Sequence, residues 1–451
     1  MPMHYRLLLT LALTILLALF NACGGGAGGE TGDGSGSSSA CTPDIPVSAG
    51  LFTSPPTNIA NIADVIPLGN MNPGGGHVIP VNHMYLSYPF PAGGGALSYL
   101  VHAMASGRIF MLMRDTVSSS TDYDYSIYIN HTCSVTSYFI HLHGLSRRIQ
   151  DYIAAHAIPW QDISGSGTGP WIMFLGQSGG APMLNVSAGE ELGITKNYSH
   201  SWDAGVIDKR YLSGSFINTP ANRYPHFSDF MPLFLSVTVD MSVYPFLGNQ
   251  YLNAGCFIDY MSSAGGLKAA WFAKLSSTPQ DCGRVGWDSP GYLQGVWFNP
   301  AIDTIGLKMD HEVAALSIVP DNLNPTTKVQ VGWGNASNGS TIPSLALLDP
   351  SAWTPPISGV TQISNPFKTY MDNASVAIVN PNPANVKVGV TVCYDLQYNS
   401  SGGTRYNYIM FHMTDSTTLK VKYEPTEQLA LQCRTLLPLP LSDASWKTYM
   451  R

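Results

Sequence analysis

Four histidines in the first third of the chain have the spacing that metal or proton chemistry needs. His77 and His83 bracket the run HVIPVNH, which leaves a glycine-rich turn and enters strand-forming sequence. His141 and His143 alternate within YFIHLH, so on a strand both side chains project from one face. Such a pair is a sound start for a metal site, and His77 or His83 could complete it, since a catalytic zinc keeps three protein ligands. Asp203, in SWDAGVID, offers a carboxylate from a different segment. The competing reading is structural, with His143 capping the Gly144 turn and His77 bonded within its own loop. The string GQSGG around Ser178 matches a nucleophile elbow only as letters, because Pro182 follows and no helix can start cleanly.

The elements that must position these residues read as short strands. Leu97–Ala103 and Arg108–Met113, separated by Ser106-Gly107, have the pattern of a β-hairpin. Tyr125–Ile129, Val135–Leu142 and Trp171–Leu175 are further strands, and Ser146–Ala155 carries apolar residues at helical spacing. Residues 207–310 are less regular, with a helix expected around Ala264–Lys274. Strands resume at Ala314–Val319, Val329–Gly332, Ser375–Val379, Val386–Tyr394, Tyr406–His412 and Thr418–Tyr423. Charged residues make up 11% of the 451, with 44 glycines, 32 prolines and 23 tyrosines, which suits a turn-rich β protein. A net charge of −7 without a basic stripe argues against a nucleic-acid partner.

An uninterrupted apolar run, Leu7–Phe20, follows His4 and Arg6 and has the length of an export signal rather than of a membrane span. It ends at Asn21-Ala22-Cys23-Gly24, which resembles the lipobox of bacterial lipoproteins. That resemblance implies that Cys23 is lipidated and that the mature chain is tethered to a membrane. Residues 24–40 are nearly all Gly, Ser, Thr and acidic, the composition of a flexible tether. The other six cysteines, an even number in an exported chain, read as disulfides. Proximity pairs Cys256 with Cys282 and Cys393 with Cys433, leaving Cys41 with Cys133.

The order of His83, the Leu97–Met113 segment, Tyr138-Phe139-Ile140-His141-Leu142, Ala188-Gly189-Glu190-Glu191-Leu192-Gly193 and Ser201-Trp202-Asp203 resembles the lysostaphin-like peptidoglycan endopeptidases. The resemblance covers roughly residues 66–208 and implies a duplicated-hybrid-motif β-barrel. That family holds zinc with His, Asp and His, and further histidines handle protons. Carried over, His83 is a metal ligand, Asp203 stands where the last ligand histidine would be, and His141 matches a catalytic histidine. Ser87 occupies the aspartate position four after His83, and the terminal His-x-His becomes Ser201-x-Asp203 or, in the other alignment, His200-x-Trp202. A second resemblance, to uncharacterised exported prokaryotic proteins, rests on Pro73–Tyr85, on Asp288–Phe298, on Val392–Asp395 and on Thr417–Val421. It implies one architecture with a degenerate peptidase-like front. Gln294, Trp297 and Phe298 in the second of these stretches read as a packed turn or as a binding edge.

The sequence thus predicts a mainly β chain: a signal peptide (1–22), a tether (23–45), a peptidase-like β domain (50–240), an irregular disulfide-tied middle (241–310) and an all-β C-terminal domain (311–451). The favoured function is non-catalytic binding or scaffolding at the cell surface, toward peptidoglycan or an envelope protein, with Tyr85 and Trp202 as groove aromatics. This reading calls for no cofactor. A zinc endopeptidase with rewired ligands, and an adhesin-like structural protein, are the alternatives.

Overall fold

The computed structural model describes residues 41–71, 77–89, 98–116, 123–162, 170–177, 180–196, 201–217, 243–244, 246, 248–300, 315–326, 328–333, 360–364, 370–371, 377–379, 382–400, 403–428 and 446–451. The chain is mainly β, and residues Cys41–Arg451 form one unit by their contacts. Its first part supplies β1 (Asp64–Ile66), β2 (His83–Ser87), β3 (Ser98–His102), β4 (Gly107–Thr116), β5 (Tyr123–Asn130), β6 (Val135–Leu145), β7 (Gln161–Asp162), β8 (Trp171–Phe174), β9 (Leu184–Val186), β10 (Glu191–Lys196) and β11 (Ser201–Asp208). Then come β12 (Gly214–Ser215), β13 (Ala254–Gly255) and β14 (Gly286–Trp287). The main path of the first sheet runs β1-β2-β11-β6-β5-β4-β8-β7; β10 joins β6 to β3, β9 lies on β4 and β13 on β11. β12 and β14 form a separate parallel pair.

Period-two alternation gives the centre of this sheet two faces. On one face Met84, Leu86, Phe139, Trp202, Ala204 and Val206 are fully buried in the main core. On the other face stand His83 and Tyr85 of β2, Asp203 and Gly205 of β11, and Tyr138 and Ile140 of β6. The register brings them together: Gly205 is opposite both His83 and Tyr138, and Asp203 is opposite both Tyr85 and Ile140. A methyl group on Gly205 would sit inside the Tyr138 ring. Glycine is required there because the ring lies across β11, its hydroxyl donating to the Asn82 carbonyl at 3.0 Å.

The expected hairpin does not form. β3 pairs with β10, and β4 pairs with β5, β8 and β9. The Ala103–Ser106 turn therefore changes neighbours instead of reversing the strand onto itself. A local pattern of two apolar runs and a glycine cannot encode which distant strand each run will meet. Trp202 is corrected as well, because its indole is fully buried on the core face and cannot line a groove.

Other expectations hold. A helix, α1 (Arg147–Ala155), follows β6; its Ile149 is buried, and Tyr152 and Ile153 pack on the core. A shorter one, α2 (Leu267–Phe272), buries Trp271. Two disulfides join Cys41 to Cys133 and Cys256 to Cys282. The remaining expected pair involves Cys433, which lies outside the described residues, as does Cys23.

The second sheet contains β15 (Gly295–Phe298), β16 (Ala315–Pro320), β17 (Lys328–Trp333), β18 (Val360–Ser364), β19 (Tyr370–Met371), β20 (Ala377–Val379), β21 (Thr391–Ser400), β22 (Gly403–Met413), β23 (Thr418–Gln428) and β24 (Lys447–Met450). Their order is β18-β17-β16-β15-β24-β23-β22-β21-β20-β19. The Asp288–Phe298 stretch enters this sheet as a packed turn. Trp297 and Phe298 are fully buried, and the Asp288 carboxylate accepts from the amides of Ile217 and Val296 at 2.9 and 2.8 Å. The Arg451 guanidinium covers Trp297 at 4.0 Å and donates to the Gln294 carbonyl at 2.8 Å.

Gly205→Ala tests the close approach at the centre of the first sheet. Overpacking at a position with no room should cost roughly 3 kcal/mol in urea unfolding. A loss below about 0.5 kcal/mol would mean that Tyr138 does not lie across β11.

Candidate functional site

Three adjacent strands, β2, β11 and β6, bring the predicted residues into one cluster on the face away from the main core. The Asp203 carboxylate, 3% exposed, lies between two imidazoles: its Oδ2 is 3.4 Å from His83 Nε2 and 3.3 Å from His141 Nε2. Its Oδ1 is buried and accepts no hydrogen bond from the described residues. A carboxylate so placed must be compensated by cations or protons, since bare burial of the charge costs several kcal/mol.

His83 begins β2 and is itself buried. Its Nδ1 faces Asn82 Oδ1 at 3.0 Å, an oxygen that can only accept, so Nδ1 carries the proton. With the imidazole neutral, the Nε2 lone pair points at Asp203. Burial pulls the His83 pKa down to about 4, the Asp203 charge opposes this, and His77 and His141 add to the depression. His77 stands beside it, ring centroids 5.5 Å apart and edge to face, and Tyr85 flanks it at 5.0 Å.

His141 reaches the cluster through a bulge. β5 pairs Ile127 with Phe139 and then Tyr125 with Leu142, so two residues of β6 stand opposite one of β5. Within this bulge His141 has φ of 67°, the left-handed region that side chains other than glycine rarely adopt. Its Nδ1 donates to Asp124 Oδ2 at 2.6 Å while Nε2 faces Asp203. Burial alone would lower the His141 pKa, but hydrogen bonds and charge from Asp124 and Asp203 outweigh it and hold the pKa at about 10. The ring is 47% exposed, so this face is open to a ligand. His143, two residues further along β6, is half-buried.

Sequence reasoning missed Asp124 and Asn82. Asp124 sits between Tyr123 and Tyr125 in a strand, where a lone carboxylate reads as solvent-facing; only the bulge in β6 turns His141 toward it. Asn82 offered its adjacency to His83 and no other signal. Of the other histidines, His131 is buried and structural: its Nδ1 donates to the Ser106 carbonyl at 3.0 Å, and the Ser137 hydroxyl contacts Nε2 at 2.7 Å. His102 is half-buried on β3, and Ser178 of the GQSGG string lies outside the described residues.

Among the described residues, the His, Cys, Asp or Glu donors that meet within 4.8 Å of one another are those of Cys256, Asp259 and Cys282. The two cysteines are joined to each other, which removes the thiolates a metal would need. The donors of His83, His141 and Asp203 do not all meet within that distance. The residues around Asp203 thus offer nitrogen and oxygen donors that do not close on a single ion position as placed.

No family model matches the chain, and no curated protein matches it. Among solved structures, Helicobacter pylori Csd3 in an orthorhombic crystal aligns at 13% identity and a TM-score of 0.20, over 36% of this chain and 34% of that one. A likeness of that size carries no argument about fold or activity.

The electrostatic reading has a definite pH signature. A histidine whose folded pKa is raised from 6.5 to about 10 contributes stability that is complete below 6.5 and lost as pH climbs through 10. Histidine side-chain NMR of chelator-treated protein should show His141 protonated at pH 8, and Asp124→Asn should bring its midpoint below about 9. A wild-type midpoint near that of free histidine would contradict the double carboxylate contact.

Proposed function

We propose that the first β domain is a rewired zinc-binding module of the peptidoglycan metallopeptidase type, carried by an exported, lipid-tethered chain at the cell envelope. One observation supports it above the others. His83 has its proton committed to Asn82, so its Nε2 lone pair and the buried Asp203 carboxylate face each other at 3.4 Å. Two acceptors placed so call for a proton or a metal cation between them, and neighbouring ligands on a tetrahedral zinc stand about 3.3 Å apart. An imidazole with one nitrogen fixed by an oxygen and the other presented inward is how proteins orient metal ligands.

The resemblance asks for two histidines and one aspartate. The same donor types recur here in exchanged places, with Asp203 on β11, His83 on β2 and His77 beside it, and the three would have to draw together from beyond 4.8 Å to share an ion. Zinc held by these three would polarise a carbonyl and acidify a water. His141 is oriented by Asp124 through Nδ1 and points Nε2 at the same carboxylate, so it is placed to hold or pass a proton at the open side of the site. Tyr85, half-buried beside His83, bounds that side.

A second reading keeps the domain non-catalytic, as a binding or scaffolding module. It is favoured by Ser87 and Ser201 at two positions where the family has a ligand and a catalytic histidine, and by donors that do not close within 4.8 Å. Here the His141 imidazolium alone compensates Asp203.

Metal analysis separates the two. Protein purified in zinc-containing buffer and then desalted should carry about one zinc per chain, lost in both His83→Ala and Asp203→Asn with near-UV circular dichroism retained. Zinc-free wild type would defeat the metal reading and turn the search to envelope binding partners. A zinc-loaded wild type should next be given purified peptidoglycan, and solubilisation that His141→Gln abolishes without loss of zinc would assign the proton role.

A further inference from the structure

Away from the histidine cluster, at the far end of β11, an open cleft of about 490 Å³ is bounded by Val47, Leu68, Tyr211, Leu212, Lys268 and Arg284. Its size is that of a small-ligand site rather than of a protein interface. Three properties set it apart from an ordinary surface hollow.

The first is exposed apolar surface. Leu212 is 65% exposed and Tyr211 51%, the two highest values among the large hydrophobics that the described residues leave exposed. Ile45, also exposed, adjoins them, because its carbonyl accepts from Arg210 at 2.9 Å. Clustering of such side chains at one mouth, unlike single exposed residues, marks a binding surface.

The second is an unengaged cation. Among the described residues, the Arg284 guanidinium forms no hydrogen bond or ion pair; it rests on the face of Trp287 at 3.8 Å, and Asp281 acts on it through charge alone. Lys268 is differently placed: it is paired with Asp259 at 3.4 Å and also donates to the Asp259 carbonyl at 3.1 Å. Arg284 is thus the wall's available donor for an anion, and its planar fork matches a carboxylate in two parallel hydrogen bonds.

The third is the polar character of the remaining wall. Ser48, Ser213, the glycines at 214, 255 and 283, and the Asp259 carboxylate that pairs with Lys268 line the cleft together with the apolar groups. Most of these groups are already paired within the fold: the Ser213 hydroxyl accepts from the Val285 amide, the Gly214 amide donates to the Leu212 carbonyl and the Gly283 amide to Asp281, which leaves the exposed Ser48 hydroxyl to meet a polar ligand group. The cleft is also held firmly. Tyr260 donates to Asp208 Oδ2 at 2.9 Å, β13 pairs with β11, and the Cys256–Cys282 bond ties the two walls.

We propose that this cleft captures the end of a peptide, seating an apolar C-terminal side chain against Leu212 and Tyr211 and the terminal carboxylate on Arg284. The site is separate from the histidine cluster, and its existence does not depend on whether zinc binds there. Asp203 and Val206, the latter paired with the cleft residue Gly255, lie on the same strand, so the two sites share one rigid element.

Fluorescence polarisation with the full chain tests this. The probes are fluorescein-labelled tetrapeptides ending in leucine, tyrosine, alanine or lysine, each as free acid and as amide. Saturable binding is expected for the leucine and tyrosine acids. Amidation or Arg284→Gln should weaken it about tenfold or more, and Leu212→Ser should weaken it severalfold. Both side chains are exposed, so neither substitution should disturb folding, which near-UV circular dichroism checks. The proposal fails if acid and amide bind alike, if no free acid saturates below about 1 mM, or if palmitate binds in preference to every peptide.

Discussion

A carboxylate buried in the middle of a β-sheet is the constraint on which the first domain's functional face depends. Asp203 lies on β11, flanked by β2 and β6, with its side chain almost fully withdrawn from water. Its charge has to be met locally: the His141 imidazolium meets it from one neighbouring strand, while His83 faces it from the other with an unprotonated Nε2. Each imidazole is in turn fixed through its other nitrogen, by Asn82 and by Asp124. The resulting chain of contacts crosses four adjacent strands, β2, β11, β6 and β5. Removing either outer oxygen would leave a ring free to rotate and Asp203 less well compensated.

The same strands serve a second purpose on their opposite face. Trp202, Ala204 and Val206 belong to the core because Asp203 and Gly205 do not, and a slip of one residue would exchange the two sets. Packing of the large Trp202 indole against Phe139, with ring centroids 5.8 Å apart, therefore helps to fix the register that places the carboxylate. Gly205 contributes in the other direction by giving the Tyr138 ring room to cross β11 and reach Asn82, the residue that also orients His83. Core packing and site geometry are thus two consequences of one register.

Local sequence was a good guide where the determinant is local. Alternation located β5, β6 and β8 within a few residues, helical spacing located α1, and proximity paired Cys256 with Cys282. It failed where the determinant is a distant partner. Nothing in Leu97–Met113 says that β3 will join β10 across the sheet, so the two runs looked like a hairpin. His83, His141 and Asp203, singled out in the sequence, do meet in one cluster, but their arrangement was not legible there. The fold also sets the His77 ring against His83, a contact that no linear motif specifies. Asp124 could not be found that way, because its role is created by a bulge in another strand.

That bulge separates a site from a merely tolerated cluster. A regular β6 would keep the ladder with β5 intact and spare His141 a left-handed backbone, which costs on the order of 1–2 kcal/mol for a residue with a side chain. Glycine at that position would relieve the strain. Histidine with φ of 67° instead turns one ring between two carboxylates, one buried and one at the surface. Apolar packing has no need of this, since the core face of β6 is already supplied by Phe139 and Leu142 on either side of the bulge, whereas the ring's charge compensates the buried Asp203. Strain that is held in place at a charged position, with a second carboxylate fixing the ring that bears it, is the cost of bringing an imidazolium to the buried Asp203.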